Sequence, residues 1–380
     1  MQFDFDKINN RRGLNGLKWN VAENELPMWV ADMDFQTAPA IREAVEKKAA
    51  TGIFGYSTIP ESWYEAIQSW WQNRHSLLIK REWLTFCSGV VPAISSIVRS
   101  MTNPGDSVAV MTPVYDIFFH SIENNGRHVL ECPLLYENHT YSIDYEVLEE
   151  KLAEPLTTML LLCNPQNPGG IIWKKTELER IAKLCRKNHV LVVSDEIHCD
   201  LTLPGTQYVP FISVSPENSI TCLSPSKAFN VAGFQSAATV IPEEAIRQKV
   251  ARGLNNDEIA EPNIFAIEVA QTAYTQAGSW LDALRAYLAD NRRVVREFLR
   301  RELPQVSLCE GEATYLLWLD VSRLTEDSAT LQKKIRRETG LYLSDGSVYR
   351  GDGKKFLRMN IACPRAVLLD GLERLKRGIE

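Results

Sequence analysis

The 380-residue sequence lacks the features that mark several large classes of protein. No apolar run approaches the roughly 20 residues of a membrane-spanning helix, and the start, MQFDFD, lacks the basic and apolar regions of a secretory signal. It has no basic excess, since 42 Lys and Arg stand against 48 Asp and Glu, so nucleic acid or an anionic membrane is not expected as a partner. We therefore expect a soluble cytoplasmic protein that acts on a small molecule.

The eight cysteines form no C-x-x-C pair and no zinc-type spacing. Several of them, such as Cys163 and Cys222, fall inside apolar segments, which is typical of buried thiols in a reducing compartment. Residues 195–200, DEIHCD, offer candidate metal ligands, but on a strand His198 and Cys199 would face opposite sides. We therefore expect no metal site.

Short apolar stretches alternate with helical patterns through the middle of the chain. Residues 83–87, 107–111, 157–163 and 190–193 predict strands, and a Thr-x-x-Glu capping box at 176–179 predicts the start of a helix. Continuously apolar strands indicate a sheet that is buried on both faces. The sequence therefore predicts a three-layer α/β/α fold with a mostly parallel sheet.

The end of the chain has a different character from its middle. Long charged helical patterns are followed by strand-like patterns at residues 314–319 and 356–362, which is typical of a smaller α+β domain. We predict an N-terminal arm, or part of the small domain, over residues 1–45. A large ligand-binding domain is predicted over 46–280 and the small C-terminal domain over 281–380.

Polar and glycine-containing segments follow the predicted strands. In a parallel sheet the carboxyl ends of the strands meet at one edge, where ligands bind. Residues that are far apart in sequence are therefore expected to line one cleft. They are Ser88 and Gly89, Tyr115, Asn167, Asp195, and the segment 224–227, which ends in Lys227.

These residue types suit a ligand that has a phosphate, an aromatic nitrogen ring and an aldehyde. Backbone N–H groups at the helix start after Gly89 favour a phosphate. Tyr115 can lie flat on a ring, Asn167 can donate to a ring oxygen and Asp195 can hold a ring nitrogen protonated. Lys227 can form an imine with the aldehyde. The ligand with these features is pyridoxal phosphate.

Three motifs in this order also carry a family resemblance: N-P-x-N-P-x-G at 164–170, D-E-x-H at 195–198 and S-x-S-K at 224–227. Through them the chain resembles fold-type I pyridoxal-phosphate enzymes of the class I/II aminotransferase superfamily. Segments such as 28–35 and 360–365 are similar to the MalY/PatB-like cystathionine β-lyase branch. Two departures from the aminotransferases, His198 in place of a tyrosine and Gln235 in place of an arginine, also fit that branch.

The resemblance implies a role for each site residue. Lys227 is the imine lysine and the general base, Arg358 grips the substrate carboxylate beside Ala31 and Asn167, and Tyr56 reaches the phosphate bound in the other subunit of a homodimer. The remaining cofactor-binding positions that it implies are Gly89, Val90, Val91, Tyr115, Asn167, Asp195, His198, Ser224 and Ser226.

The implied activity is a carbon–sulfur β-lyase that releases a thiol, pyruvate and ammonia from a cysteine conjugate. An aminotransferase, and a fold with an added regulatory role toward a protein partner, remain as alternatives. Individual residues also have plainer interpretations: Lys227 as a structural lysine, Tyr115 as a core aromatic and Arg358 as a solvent-facing arginine. The Ser-x-x-Lys pattern at 224–227 also fits penicillin-recognising acyl enzymes, but no Ser-Asp-Asn or Lys-Thr-Gly follows it.

Overall fold

The computed structural model of the protein describes residues 3–380. Its helices are α1 Pro39–Ala50, α2 Glu61–His75, α3 Val90–Met101, α4 Ile117–Glu123, α5 Tyr145–Leu152, α6 Lys175–Lys187, α7 Glu244–Asn256, α8 Ala266–Gln276, α9 Gly278–Glu302, α10 Ser328–Thr339 and α11 Arg365–Ile379. Its strands are β1 Leu26–Pro27, β2 Leu84–Cys87, β3 Ser107–Val110, β4 His128–Glu131, β5 Leu135–Glu137, β6 Thr140–Ser142, β7 Thr157–Cys163, β8 Leu191–Asp195, β9 Ser219–Leu223, β10 Ala237–Val240, β11 Ser307–Leu308, β12 Leu316–Asp320, β13 Leu341–Tyr342, β14 Ser344–Asp345 and β15 Phe356–Asn360.

A seven-stranded sheet forms the centre of the molecule, in the order β2-β10-β9-β8-β7-β3-β4. Only β10 runs antiparallel to its neighbours within this sheet. Alternate residues of β7 face opposite sides: Met159 and Leu161 pack with α3 and α7, whereas Leu160 and Leu162 pack with α5 and α6. Both faces are therefore buried, which explains the continuously apolar strands and confirms the predicted α/β/α fold.

The C-terminal part contains an antiparallel sheet in the order β11-β12-β15-β14. The N-terminal segment joins this part, because β1 pairs in parallel with β13 through Leu26 and Leu341. The predicted border between the large and the small domain, between residues 280 and 281, falls inside α9, which is continuous from Gly278 to Glu302. The predicted domain ranges therefore remain predictions. None of the helices within residues 3–380 is long and apolar enough to cross a membrane.

Two local predictions were wrong in their details. The helix α6 begins at Lys175, and the backbone N–H of Lys174 donates to Glu177 Oε2 at 2.7 Å, so the predicted Thr176–Glu179 box lies two residues too late. The segment after β8 is a turn, in which the Cys199 N–H donates to the Glu196 carbonyl at 3.0 Å. His198 and Cys199 therefore do not lie on a strand.

Candidate active site

Five strand ends of the central sheet surround one cavity of about 240 Å³. The segments that follow β2, β3, β7, β8 and β9 all contribute to its wall, as the strand-end argument predicts. Most of the predicted site residues therefore meet at one place. The predicted residues that line the cavity are Ala31, Gly89, Val90, Val91, Tyr115, Asn167, Asp195, His198, Ser226 and Lys227.

Lys227 is half-buried, and its Nζ donates to the Ala31 carbonyl oxygen at 2.9 Å. Burial, together with the positive charge of Arg358, lowers the pKa of Lys227 to about 8. Asp32 and Asp195 act in the opposite direction without restoring the ordinary value. A large fraction of this lysine is therefore neutral and nucleophilic near pH 8.

Asp195 ends β8, is only 4% exposed, and accepts a hydrogen bond from the Ile197 N–H at 3.1 Å. Burial raises the pKa of Asp195 to about 6, while the Ile197 hydrogen bond and the charge of Lys227 oppose that rise. At pH 7 the group is mainly a buried carboxylate that a positively charged ligand atom would stabilise.

His198 faces the same cavity from the turn after β8 and is 3% exposed. Burial and the nearby charges of Lys227 and Arg358 lower the pKa of His198 to about 3. The ring is therefore neutral at physiological pH. Its Nδ1 is buried without a hydrogen-bond partner among the described residues, which leaves it available to a ligand.

Arg358 lies on β15 of the C-terminal part and is 5% exposed, so its interpretation as a solvent-facing arginine is wrong. Its Nη1 donates to Asn167 Oδ1 at 3.2 Å and its Nη2 donates to the Trp29 carbonyl at 3.1 Å. The buried Nε has no partner within the described chain. The guanidinium thus has no carboxylate partner here and keeps a donor free for one.

The start of α3 forms another part of the cavity wall. Gly89 precedes the helix, and the N–H groups of Val90 and Val91 lie in its first turn, where no earlier helical carbonyl is available. Ser226 also lines the cavity, whereas Ser224 does not and donates its hydroxyl to the Ser236 carbonyl at 2.6 Å.

Two predicted aromatic positions differ in their placement. Tyr115 lines the cavity, and its ring packs edge-on against Phe118 at 6.0 Å between centroids. Tyr56 is fully exposed in the segment after α1 and does not line the cavity of its own chain. A role for Tyr56 in a site therefore requires a second subunit.

A second, separate cavity of about 410 Å³ contains the only group of candidate metal ligands in residues 3–380. The ligand atoms of His75, Cys199 and Asp200 lie within 4.8 Å of one another. Asp200 already accepts hydrogen bonds from His75 Nε2 at 2.9 Å and from Trp70 Nε1 at 3.1 Å. Burial and the neighbouring carboxylates raise the thiol pKa of Cys199 well above its ordinary value. Asp200 therefore links the turn that follows β8 to α2 through hydrogen bonds.

A comparison with known families identifies the chain. The family described as "Aminotransferase class I and II" matches residues 22–375. The chain belongs to this family. It is 41% identical to the cystathionine β-lyase PatB of Bacillus subtilis, over 99% of this chain and 100% of that one. It is 33% identical to the protein MalY of Escherichia coli, over 99% of each chain.

The solved structures agree with this assignment. Cystalysin from Treponema denticola, described as containing a pyridoxal 5′-phosphate cofactor, superposes with a TM-score of 0.96 at 32% identity. That match covers 100% of this chain and 99% of cystalysin. The resemblance that the motifs indicated is therefore confirmed.

One residue of this class I and II aminotransferase family member has no motif that would point to the site. Tyr315 lies just before β12 and donates its hydroxyl to the Ala31 carbonyl at 3.0 Å, the oxygen that also accepts from Lys227. It is separated from Ala31 by 284 positions, and an apolar strand pattern surrounds it. Only the fold brings it beside the lysine.

Proposed function

We propose that this protein is a pyridoxal-phosphate-dependent carbon–sulfur β-lyase that converts cysteine thioether conjugates, such as cystathionine, to a thiol, pyruvate and ammonia. The observation that carries this proposal is the meeting of Lys227, Asp195 and Asn167 in one buried cavity. The 41% identity to a cystathionine β-lyase over nearly the whole chain supports the choice of reaction.

The residues of the cavity suit the cofactor. The unpaired Nδ1 of His198 and the buried Asp195 carboxylate both lack the partner that such a ring would give them. Asp195 would pair with the ring nitrogen, Asn167 and His198 would face the ring hydroxyl, and Tyr115 would stack on the ring. Gly89, Val90, Val91 and Ser226, with Ser224 behind them, would hold the phosphate.

When bound, pyridoxal phosphate supplies an aldehyde that joins to amines and a ring that accepts the electron pair left at the substrate Cα. Lys227 takes the proton from Cα onto Nζ, and its lowered pKa keeps enough of the amine neutral for this task. The Cβ–S bond then breaks and sulfur leaves with the bonding pair. Addition of water to the remaining three-carbon fragment gives pyruvate and ammonia.

Arg358 would orient the substrate by binding its α-carboxylate. The Asn167 and Trp29 contacts hold the guanidinium plane in place while Nε stays free. A fixed guanidinium fork matches a carboxylate geometrically and electrostatically. The amino acid would thus lie with its Cα proton toward Lys227, beside Ala31.

The protein would act in the cytoplasm as a homodimer with shared sites. Its eight cysteines are buried as free thiols, which fits a reducing compartment. Ile53, Phe54 and Tyr56 are exposed together on the segment after α1. Three exposed apolar side chains in four positions suit a surface covered by a second copy, which would bring Tyr56 to that copy's phosphate.

The test is to incubate the cofactor-loaded protein with cystathionine and to follow pyruvate, with and without an added 2-oxo acid. A β-lyase releases pyruvate in both cases at the same rate. Amino-group transfer that depends on the 2-oxo acid, without pyruvate release, would instead identify an aminotransferase. Lys227→Ala protein is the control, because it keeps the cavity and lacks the base.

A further inference from the structure

The segment 29–32 reaches the cavity wall at Ala31, and side chains hold each of its carbonyl oxygens. The Val30 and Asp32 oxygens both accept from Asn360 Nδ2 at 2.6 Å, and the Trp29 oxygen accepts from Arg358 and from Ser344. The backbone of this segment is therefore fixed from the C-terminal part of the chain.

The remaining carbonyl oxygen of this segment, that of Ala31, is shared between two donors. Lys227 Nζ lies 2.9 Å from it and the Tyr315 hydroxyl oxygen lies 3.0 Å from it. A carbonyl oxygen has two lone pairs, so both donors can be accommodated. Burial, with a smaller effect of Asp32, raises the pKa of Tyr315 far above its ordinary value, so the hydroxyl stays a donor.

We propose that Tyr315 is a positioning residue for Lys227. Its hydroxyl holds the Ala31 oxygen in place and occupies one of its lone pairs, which sets where the free lysine amine rests and limits how strongly that oxygen stabilises the protonated amine. This inference rests on the proposed role of Lys227 and adds a residue to it.

Tyr315 is itself held firmly enough to act in this way. It is 1% exposed, and its carbonyl accepts from the Ile361 N–H at 2.9 Å. The residues just before it are fixed by the buried Arg292, which donates to the carbonyls of Gly311, Ala313 and Thr314. The position of the hydroxyl is thus set by the C-terminal part of the fold and not by the lysine.

The charges around Lys227 come from several elements. Arg358 on β15 disfavours its protonated form, whereas Asp32 in the segment 29–32 and Asp195 on β8 favour it. His198 in the turn after β8 is neutral and adds no charge. Removal of the Tyr315 hydroxyl changes none of these groups, so a change in the titration of Lys227 would report the shared oxygen.

The test uses Tyr315→Phe, which keeps the buried ring and removes only the hydroxyl. Tyr136→Phe is the matched control, because Tyr136 packs on Tyr141 and Phe356 outside the candidate site. The cofactor is removed from each protein, and the rate at which added pyridoxal phosphate attaches covalently is measured by absorbance from pH 6 to pH 10. Attachment requires the neutral amine, so the pH midpoint of the rate reports Lys227.

In Tyr315→Phe the Ala31 oxygen has only the lysine to accept from, so the protonated amine is better stabilised. We expect the midpoint to move up by about half a unit to one unit. In the loaded enzyme we expect kcat for cystathionine to fall by roughly five- to tenfold with little change in KM, since the substrate contacts stay intact. Tyr136→Phe should match the wild-type protein in both measurements.

An unchanged pH midpoint of the attachment rate in Tyr315→Phe would overturn the proposal, even if kcat or the thermal unfolding temperature also falls. A tyrosine with a purely structural role would not alter the titration of Lys227, so only a changed pH midpoint supports positioning. The proposed reaction fails in a different way. Wild-type protein that attaches the cofactor but releases no pyruvate would contradict the lyase, and the midpoint comparison would still decide the role of Tyr315.

Discussion

At the scale of single residues, the candidate site combines groups that are costly to bury. Burial shifts the pKa of each group so that its neutral form is favoured. The pKa of Lys227 is lowered to about 8 and that of Asp195 is raised to about 6. His198 is neutral for the same reason. Such costs are typical of sites in which a ligand supplies the missing partners. The unpaired atoms of His198 and Arg358 fit this account.

The half-buried Lys227 gives a prediction for stability. Its pKa falls on folding, so the unfolded chain holds more protons between roughly pH 8 and pH 10.4, and the cost of burying the charge is fully present below this window. Lys227→Met should therefore stabilise the cofactor-free protein by roughly 2 kcal/mol at pH 7, less than the full pKa shift corresponds to because the side chain is partly exposed to solvent. The gain should shrink as the pH rises through that window.

Urea unfolding at several pH values measures this effect. Asp195 titrates below this window, with a pKa of about 6, and so adds little to the change between pH 8 and pH 10. Lys249→Met is the control, since Lys249 is exposed on α7 and its replacement should change the unfolding free energy by less than about 0.5 kcal/mol. A gain for Lys227→Met that stays constant from pH 7 to pH 10 would contradict the assigned burial.

Sequence reasoning reached most of the site residues because each follows a strand of a parallel sheet. Asn167, Asp195 and Lys227 were predicted by this rule and line the cavity. This strand-end rule cannot identify residues that reach the site through long-range packing. The Ala31–Tyr315 contact joins positions 284 apart, and the buried setting of Arg358 depends on its docking against Asn167.

At the scale of elements, the loop before β12 depends on one side chain. Arg292, on α9, is 3% exposed and donates to three carbonyls of residues 311–314. Within residues 3–380 no carboxylate is hydrogen-bonded to it. Burial lowers the pKa of Arg292 to about 10. The loop bends sharply there, since Thr314 adopts a positive φ of 64°. Arg292 therefore fixes the backbone of the loop that leads to Tyr315.

We predict that Arg292→Met lowers the free energy of unfolding by about 2 to 4 kcal/mol, because three buried carbonyls lose their donors. Arg296→Met, one turn further along α9, breaks only an exposed ion pair with Glu310 and should cost less than about 1 kcal/mol. Urea unfolding of both variants checks this. Equal losses of unfolding free energy in the two variants would show that the three hydrogen bonds of Arg292 stabilise the fold no more than the exposed ion pair of Arg296 does.

Element types were easier to predict than element ends. The strand β7 matches its predicted range, since an apolar run bounded by the N-P-Q-N-P loop leaves little choice. The start of α6 was misplaced because Glu177 and Glu179 are both available to a cap, and only packing decides between them. The turn at 197–200 was missed because its apolar and polar residues alternate as they would in a strand.

At the scale of the whole molecule, the proposed dimer makes each site dependent on both subunits. Tyr56 is exposed on its own chain, so its contribution would have to reach the other site. Lys227→Ala and Tyr56→Ala proteins should each have low activity. Mixed dimers of the two should contain one complete site, so a reassorted one-to-one mixture should recover about a quarter of wild-type activity.

Pyruvate release before and after reassortment measures this recovery. The Lys227→Ala protein mixed with itself is the control for refolding losses. Activity that never exceeds the average of the two parent variants would contradict shared sites, and a single-subunit mass in sedimentation would contradict the dimer itself.

All of these roles depend on Lys227 being the residue of this cavity that binds the cofactor covalently. The most direct measurement is to load the protein with pyridoxal phosphate, reduce it with borohydride and map the modified peptide by mass spectrometry. We expect one modified lysine, Lys227, and less of this modification when reduction is carried out in the presence of excess cystathionine. Modification spread over surface lysines, with Lys227 unmodified, would contradict it.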